Sequence, residues 1–234
     1  GDGEVYDYIL DKLDVHNYNV QVEQISPHNY GIPQQRERVY FICIRKDIYD
    51  GTKVELPVPV NNTINLDNFL LKESEVDKKY FVDGDVLNCL NAWEEMIKVF
   101  TKDVNEKDAD IKLSPTIMVN EFHKDYSEEE FKLLADWRQD YITKNKPIYN
   151  AYKSIWDEWY KKHNKILNTR EIYAKLEWQV GKVKKDDSIF NYFIQIRQSG
   201  VRVKKAQYFP TLVAISQIPI YGKQKRYITP RECA

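Results

Sequence analysis

Apolar positions follow two different periods over the first quarter of the chain. In VYDYILDKL, Val5, Ile9 and Leu13 fall at helical spacing with Tyr6 and Leu10 beside them, and NVQVEQI then alternates as a strand. The run VYFICI, Val39 to Ile44, is continuously apolar, β-branched and aromatic. That composition predicts a strand buried on both faces, with Cys43 as plain core, and Gly31 and Pro33 mark the turn that feeds it. A helix crossing to strands in this way predicts an α/β fragment of a wound sheet. After LPVPV, Leu56 to Val60, a polar NNT stretch predicts a boundary near residue 57.

Helical period dominates from there to about residue 185. Asp85 is a candidate cap for a helix striped by Leu87, Leu90, Trp93, Ile97 and Phe100. Ser127 with Glu130 makes a capping box ahead of Phe131, Leu134, Trp137 and Tyr141. A third helix is predicted after Pro147, with Tyr149, Tyr152, Trp156 and Trp159 forming an aromatic seam that belongs in a core. Strand character returns in IFNYFIQI, VRV and TLVAISQIPI, separated by turns at Ser199–Gly200, Pro210 and Tyr221–Gly222. In the closing ITPRECA, Thr229 is a helix N-cap, Pro230 the first helical residue and Glu232 the third, a second capping box. A helix capped and begun but only four residues long, on a chain opening Gly-Asp-Gly without an initiator Met, is expected to mark a fragment trimmed at both ends.

Composition adds little and charge distribution adds much. The chain has 234 residues, 42% hydrophobic and 30% charged, enough for one or two domains with a sizeable core. No apolar run approaches bilayer length, so a cytoplasmic address is expected. Cys43, Cys89 and Cys233 have neither disulfide nor zinc spacing, so no metal is expected. Net charge is −1, yet from Ser188 to Arg231 there is no Asp or Glu while Arg197, Arg202, Lys204, Lys205, Lys223, Lys225, Arg226 and Arg231 lie there. A local basic zone on an otherwise acidic body is the footprint of a nucleic-acid groove, because phosphates need local positive potential; a merely solvated basic face has the same composition. Arg36 and Arg38, at the mouth of the VYFICI strand, would share one side if extended geometry begins by Arg36. Held there, they either close ion pairs, with Glu37 or a distant carboxylate, or meet an anion or carbonyl from outside.

The turn YGIPQQRERVYFICIR resembles the eighth motif of the DNA (cytosine-5) methyltransferases, a Gln-x-Arg-x-Arg pattern filled by Gln34, Arg36 and Arg38. RYITPRECA resembles the start of that family's ninth motif, and FPTLVAI carries the Thr-Leu pair of its target-recognition domain, in the family's order. The likeness covers about residues 4 to 57 and 195 to 234. It implies a fold in three parts. Residues 1–57 would be part of a wound-sheet methyltransferase domain, helix plus strands. Residues 58–227 would be a mixed α+β target-recognition domain with a helical insertion at about 85–167, and 228–234 the ninth-motif helix.

In the family's chemistry a cytosine is flipped from the duplex, a cysteine attacks C6, and a methyl group passes from S-adenosylmethionine to C5. The resemblance implies that Arg38 reaches the flipped base's O2, that Arg36 holds the site's architecture or a phosphate, and that Gln34 braces the turn. It implies that Thr229, Arg231 and Glu232 are structural, the last two anchoring the recognition domain to the catalytic one. Arg197, Gln198, Arg202, Lys204, Lys205, Gln207 and Thr211 are the candidates for double-stranded DNA: Thr211 and some of the lysines for backbone, Arg202 or Gln207 for base edges. A bacterial restriction–modification setting follows from the same likeness.

Neither Pro-Cys nor Glu-Asn-Val, the family's nucleophile and proton-handling motifs, occurs in the chain, and Gly1-Asp2-Gly3 has no strand before it. Activity and a bound S-adenosylmethionine are therefore not expected without the missing remainder of the catalytic domain. A binding module that has lost its catalytic half is the alternative. A nuclease built on Glu177 and Lys182 would have poor spacing.

Overall fold

The computed structural model describes residues 3–60, 63–107, 113, 116–212 and 217–233. It divides into two compact units, Gly1–Leu66 and Asp67–Ala234.

In the first unit, helix α1 (Glu4–Val15) precedes an antiparallel pair, β1 (Tyr18–Ile25) and β2 (Arg38–Arg45), registered Ile25 to Arg38 and Tyr18 to Arg45. Neighbours in register share a face. Phe41 therefore lies with Val22, and Tyr6 of α1 packs on Phe41 with ring centres 5.8 Å apart. On the opposite face Gln21 holds the passing chain at both backbone groups of Val54, donating at 3.0 Å and accepting at 2.8 Å.

The expectation of a strand buried on both faces is corrected here. Val39 and Tyr40 are each half exposed and Cys43 is exposed. Two strands with one helix and one strap offer too little cover to bury a continuous apolar run.

The second unit carries a six-stranded mixed sheet in the order β3-β4-β6-β5-β7-β8. Its strands are β3 (Ile117–Met118), β4 (Lys175–Gln179), β5 (Phe193–Arg197), β6 (Gly200–Lys204), β7 (Ile220–Tyr221) and β8 (Arg226–Tyr227). Only β4 and β6 run parallel. One face is apolar and buried: Leu176, Trp178, Ile194, Val201, Val203 and Ile220. It belongs to the core that also takes in α2 (Gly84–Lys107) and α5 (Lys153–Leu167). There Trp93 and Trp159 pack with tilted rings 4.9 Å apart and Trp156 meets Phe100 at 5.3 Å edge-on, so the aromatic seam is core as expected. Trp93 and Trp159 anchor their indole N–H groups on the Tyr173 and Ala92 carbonyls at 2.9 and 2.8 Å.

Several boundaries differ from expectation. Helix α2 starts at Gly84, which puts Asp85 in its first turn, where a carboxylate suits the helix dipole, and not at the cap. The Ser127–Glu130 box forms, but it opens only the short α3 (Glu128–Lys132), and Trp137 belongs to a new helix, α4 (Asp136–Ala151). Pro147 lies inside α4, and the chain breaks instead at Tyr152, whose φ of −130° and ψ of 33° are not helical. β3 and β4, on a stretch with helical expectation, were not foreseen: their apolar residues are too few to set a period. The strand expected over TLVAISQIPI is realised only at Ile220–Tyr221, and residues 213–216 fall outside the described residues.

Candidate functional site

The Gln-x-Arg-x-Arg turn is held by its backbone. β1 ends at Ile25, a single 3-10 turn covers Pro27–Tyr30, and Gly31 reverses the chain at φ 84°, where L side chains are strained. Ser26, only 1% exposed, is the pin. Its hydroxyl accepts the Arg36 N–H at 3.0 Å and shares a 2.8 Å hydrogen bond with His28 Nδ1. Gln34 N–H turns back onto the Ile32 carbonyl at 2.7 Å, and Val60 N–H closes on the Asn29 carbonyl, also at 2.7 Å.

Arg36 and Arg38 are exposed, and among the described residues neither closes an ion pair. The expected partner, Glu37, takes the Gln24 amide at 3.2 Å instead, while Arg38 Nη1 donates to the Glu37 carbonyl at 2.6 Å. Strand pairing begins at Arg38, so alternation places Arg38 but not Arg36, and the expectation of a shared side falls away. Two guanidiniums thus stand in solvent on a turn with fixed backbone. Such groups bind oxygen acceptors, and the remaining Arg38 donors are free to do so among the described contacts.

The DNA-contact candidates lie in the second unit, Arg197, Arg202 and Lys204 on the sheet face opposite the core and the others in the chain that follows β5 and β6. Alternation from the registers puts Glu177, Arg202 and Gln195 in one row and Gln179, Lys204 and Phe193 in the next. Arg197 and Gln198 stand at one end of the β5–β6 hairpin, and Lys204, Lys205 and Gln207 at the other, the last three exposed. Gly200 makes the hairpin turn at φ 137°, where a Cβ would sit 2.7 Å from the Lys175 carbonyl oxygen. Phe209 packs on Phe193 at 5.5 Å, leaving Thr211 half buried beside it in sequence. Arg202, a candidate for base edges, has its Nε hydrogen bonded to the buried Glu177 carboxylate.

The terminal box forms as expected and its role shifts. Thr229 N–H donates to Glu232 at 2.7 Å and α6 (Pro230–Cys233) follows. Glu232 grips Arg226, fully buried, through two bonds of 2.6 and 2.8 Å, and accepts the Leu71 N–H at 2.8 Å. Burial opposes its ionisation, yet Arg226 and the Thr229 and Leu71 amides together hold its carboxyl down at about 2. Every one of these partners lies in the second unit. Arg226 therefore leaves the basic face for the core, and Arg231, exposed, makes no hydrogen bond or ion pair among the described residues. Desolvation and the adjacent Glu232 carboxylate push the Cys233 thiol up, away from the reactive thiolate. Ser26 carried no signal in the sequence, and Glu177 and Arg226 stood out there only for other roles, since each acquires its role from a partner brought by folding.

Among the described residues no group of His, Cys, Asp and Glu is arranged to hold a metal, and no helix is long and apolar enough to cross a membrane. No solved structure matches the chain. Among curated proteins it is similar to type II methyltransferase M1.ScrFI of Lactococcus lactis subsp. cremoris, 32% identical over 81 residues, 34% of this chain and 20% of that one. It is also similar to M.AluI of Cellulosimicrobium cellulans, 28% over 102 residues (43% and 19%), and M.HhaI of Haemophilus parahaemolyticus, 29% over 75 residues (32% and 23%). The matched segment thus spans about a fifth of each relative's length. The C-5 cytosine-specific DNA methylase model matches residues 1–234, and the chain belongs to that family.

Proposed function

We propose that this chain is the DNA-reading portion of a cytosine-5 DNA methyltransferase of a restriction–modification system. Residues 1–57 belong to the catalytic domain, and residues 58–227 form the target-recognition domain. The observation that carries the reading is the Gln34–Arg36–Arg38 turn, with two exposed, unpaired guanidiniums on a pinned backbone in a chain of this family. Arg38 donates to O2 of the flipped cytosine and stabilises the electron-rich ring that forms when C6 is attacked, an electrostatic role like that of an oxyanion donor. Arg36 holds a neighbouring phosphate or the turn, and Gln34 braces it. Arg197, Gln198, Lys204, Lys205, Gln207 and Thr211 face the duplex, while Arg202 acts through its pair with Glu177 to stiffen the outer face.

S-adenosylmethionine is the methyl donor that the family implies, and the residues present do not fit it. α1 is the one α-helix of the described first unit, and Gly3 opens it without a side-chain cap. A strand-to-helix glycine turn that would cradle the donor is therefore missing from these residues. The half-exposed Val39 and Tyr40, with Val5 and Tyr8 of α1 also exposed, give the first unit an apolar surface suited to the rest of a catalytic domain.

The test uses the intact enzyme, with 5-methylcytosine counted by bisulfite sequencing. Arg38→Ala should slow methyl transfer by about 100-fold or more, the range seen when one transition-state donor is lost, with non-specific DNA affinity nearly unchanged. Equal losses in rate and affinity would reassign Arg38 to phosphate binding. No methylation by the unmodified enzyme would leave only a binding module.

A further inference from the structure

The helical insertion and the strands that we propose to read DNA share one face of the second unit. Met118 and Lys175 are paired in register, and Lys175 alternates with Glu177 and Gln179 onto the outer face of the sheet. A trough of about 210 Å³, partly polar and partly apolar, opens beside them, closed by Lys124 and by Trp137 and Arg138 of α4. It adjoins the β5–β6 hairpin, because the Lys175 carbonyl lies against Gly200. Trp137 is 58% exposed and Leu133, just before it, 87% exposed, unusual for large apolar side chains with no cover.

Two guanidinium donors on this face are unsatisfied. Arg138 Nε and Arg197 Nε are buried without a hydrogen-bond partner, although Arg138 Nη2 reaches Glu121 at 2.9 Å. A buried donor left unmade is costly, so its neighbourhood is a place where a small shift towards an added acceptor would be favourable. The trough also contains carboxylates: Glu121 is engaged by Lys124 at 3.0 Å as well as by Arg138, and Glu171 by Lys175 at 2.6 Å. Three cations against two carboxylates leave the lining one charge positive.

We infer that the insertion is a second DNA contact: the trough takes a backbone phosphate of the duplex flanking the recognition strands, and the Trp137 indole packs on the adjoining sugar. The inference rests on the DNA-reading proposal above and extends it to residues outside the basic zone. A phosphodiester supplies acceptors for the Lys124 and Arg138 cations of the lining, and a partly positive, partly apolar rim suits a sugar-phosphate chain.

Binding of the whole chain to a labelled random-sequence duplex, long enough to cover this face, tests it across a salt series. Trp137→Ala should bind about fivefold more weakly, the loss expected for the indole area it can cover. Trp137→Tyr, keeping a packing ring, should restore most of that, and Lys124→Gln should flatten the salt slope by about 0.9. The double variant Lys204→Gln, Lys205→Gln is the reference, flattening the slope by up to about twice that. If the double variant acts as expected while the Trp137 and Lys124 variants bind like the parent, the strands read DNA without the insertion and the inference falls alone. If none of the variants changes binding, the DNA-reading proposal falls and takes the inference with it. Failure of Trp137→Tyr to recover affinity would make Trp137 a structural residue and also overturn the contact.

Discussion

Ser26 sets where the two arginines of the turn can stand. Its buried hydroxyl is the only described acceptor for the Arg36 N–H, at 3.0 Å, and it lies one residue beyond β1, so the turn inherits the position of the strand. Ser26→Ala leaves that amide unpaired, a cost of about 1–3 kcal/mol that the turn can avoid by moving. In the intact enzyme we expect methyl transfer to slow by about tenfold with DNA affinity preserved. Ser26→Thr, which keeps the hydroxyl, should retain most of the rate. An Ala variant as fast as the parent would show that the turn does not need its pin. The Gln-x-Arg-x-Arg residues were legible in the sequence because they form a contiguous string. Ser26 was not, because a serine after a strand looks the same whether its hydroxyl is solvated or spent.

The β5–β6 hairpin is the element on which the proposed DNA face depends. Its turn needs glycine twice over: at φ 137° a side chain is strained, and a Cβ would press to 2.7 Å on a backbone oxygen that cannot move aside. Gly200→Ala should destabilise the second unit by about 2 kcal/mol, read as a lower urea midpoint at unchanged slope. DNA affinity should fall as well, because Arg197 and Gln198 flank the turn. Unchanged stability would mean that the hairpin relaxes freely. Legibility at this scale follows length and chemistry. α2 and α5 stand out through their apolar and aromatic stripes, and the two capping boxes form because they are local. β4 escaped notice: KLEWQ has five residues, and its buried Glu177 reads as a surface residue until Arg202 arrives from the neighbouring strand. Pro147 misled in the opposite sense, since a helix packed on a core tolerates the loss of one backbone bond.

At the scale of the whole molecule, the Arg226–Glu232 pair ties the two ends of the second unit together, with Leu71 on one side and the terminal box on the other. Glu232 titrates at about 2 when folded against an ordinary 4.5, so its stabilisation is complete above about pH 4.5 and is lost as pH falls towards 2. The full effect is about 3 kcal/mol. Glu232→Gln should cost about 3–5 kcal/mol at neutral pH by stranding the Arg226 charge, and the gap to the parent should narrow by about 3 kcal/mol on acidification through that window. Urea unfolding at stepped pH measures it; a constant gap would show that the pair carries no proton linkage. Contiguous strings of residues carried the family likeness, the helices, the caps and the uneven charge of the basic zone, because each depends on neighbours along the chain. Which arginine is buried, which carboxylate neutralises it, and whether an apolar strand is covered depend on residues as far apart as Leu71 and Glu232. Those contacts exist only once the chain has folded, and no local pattern encodes them.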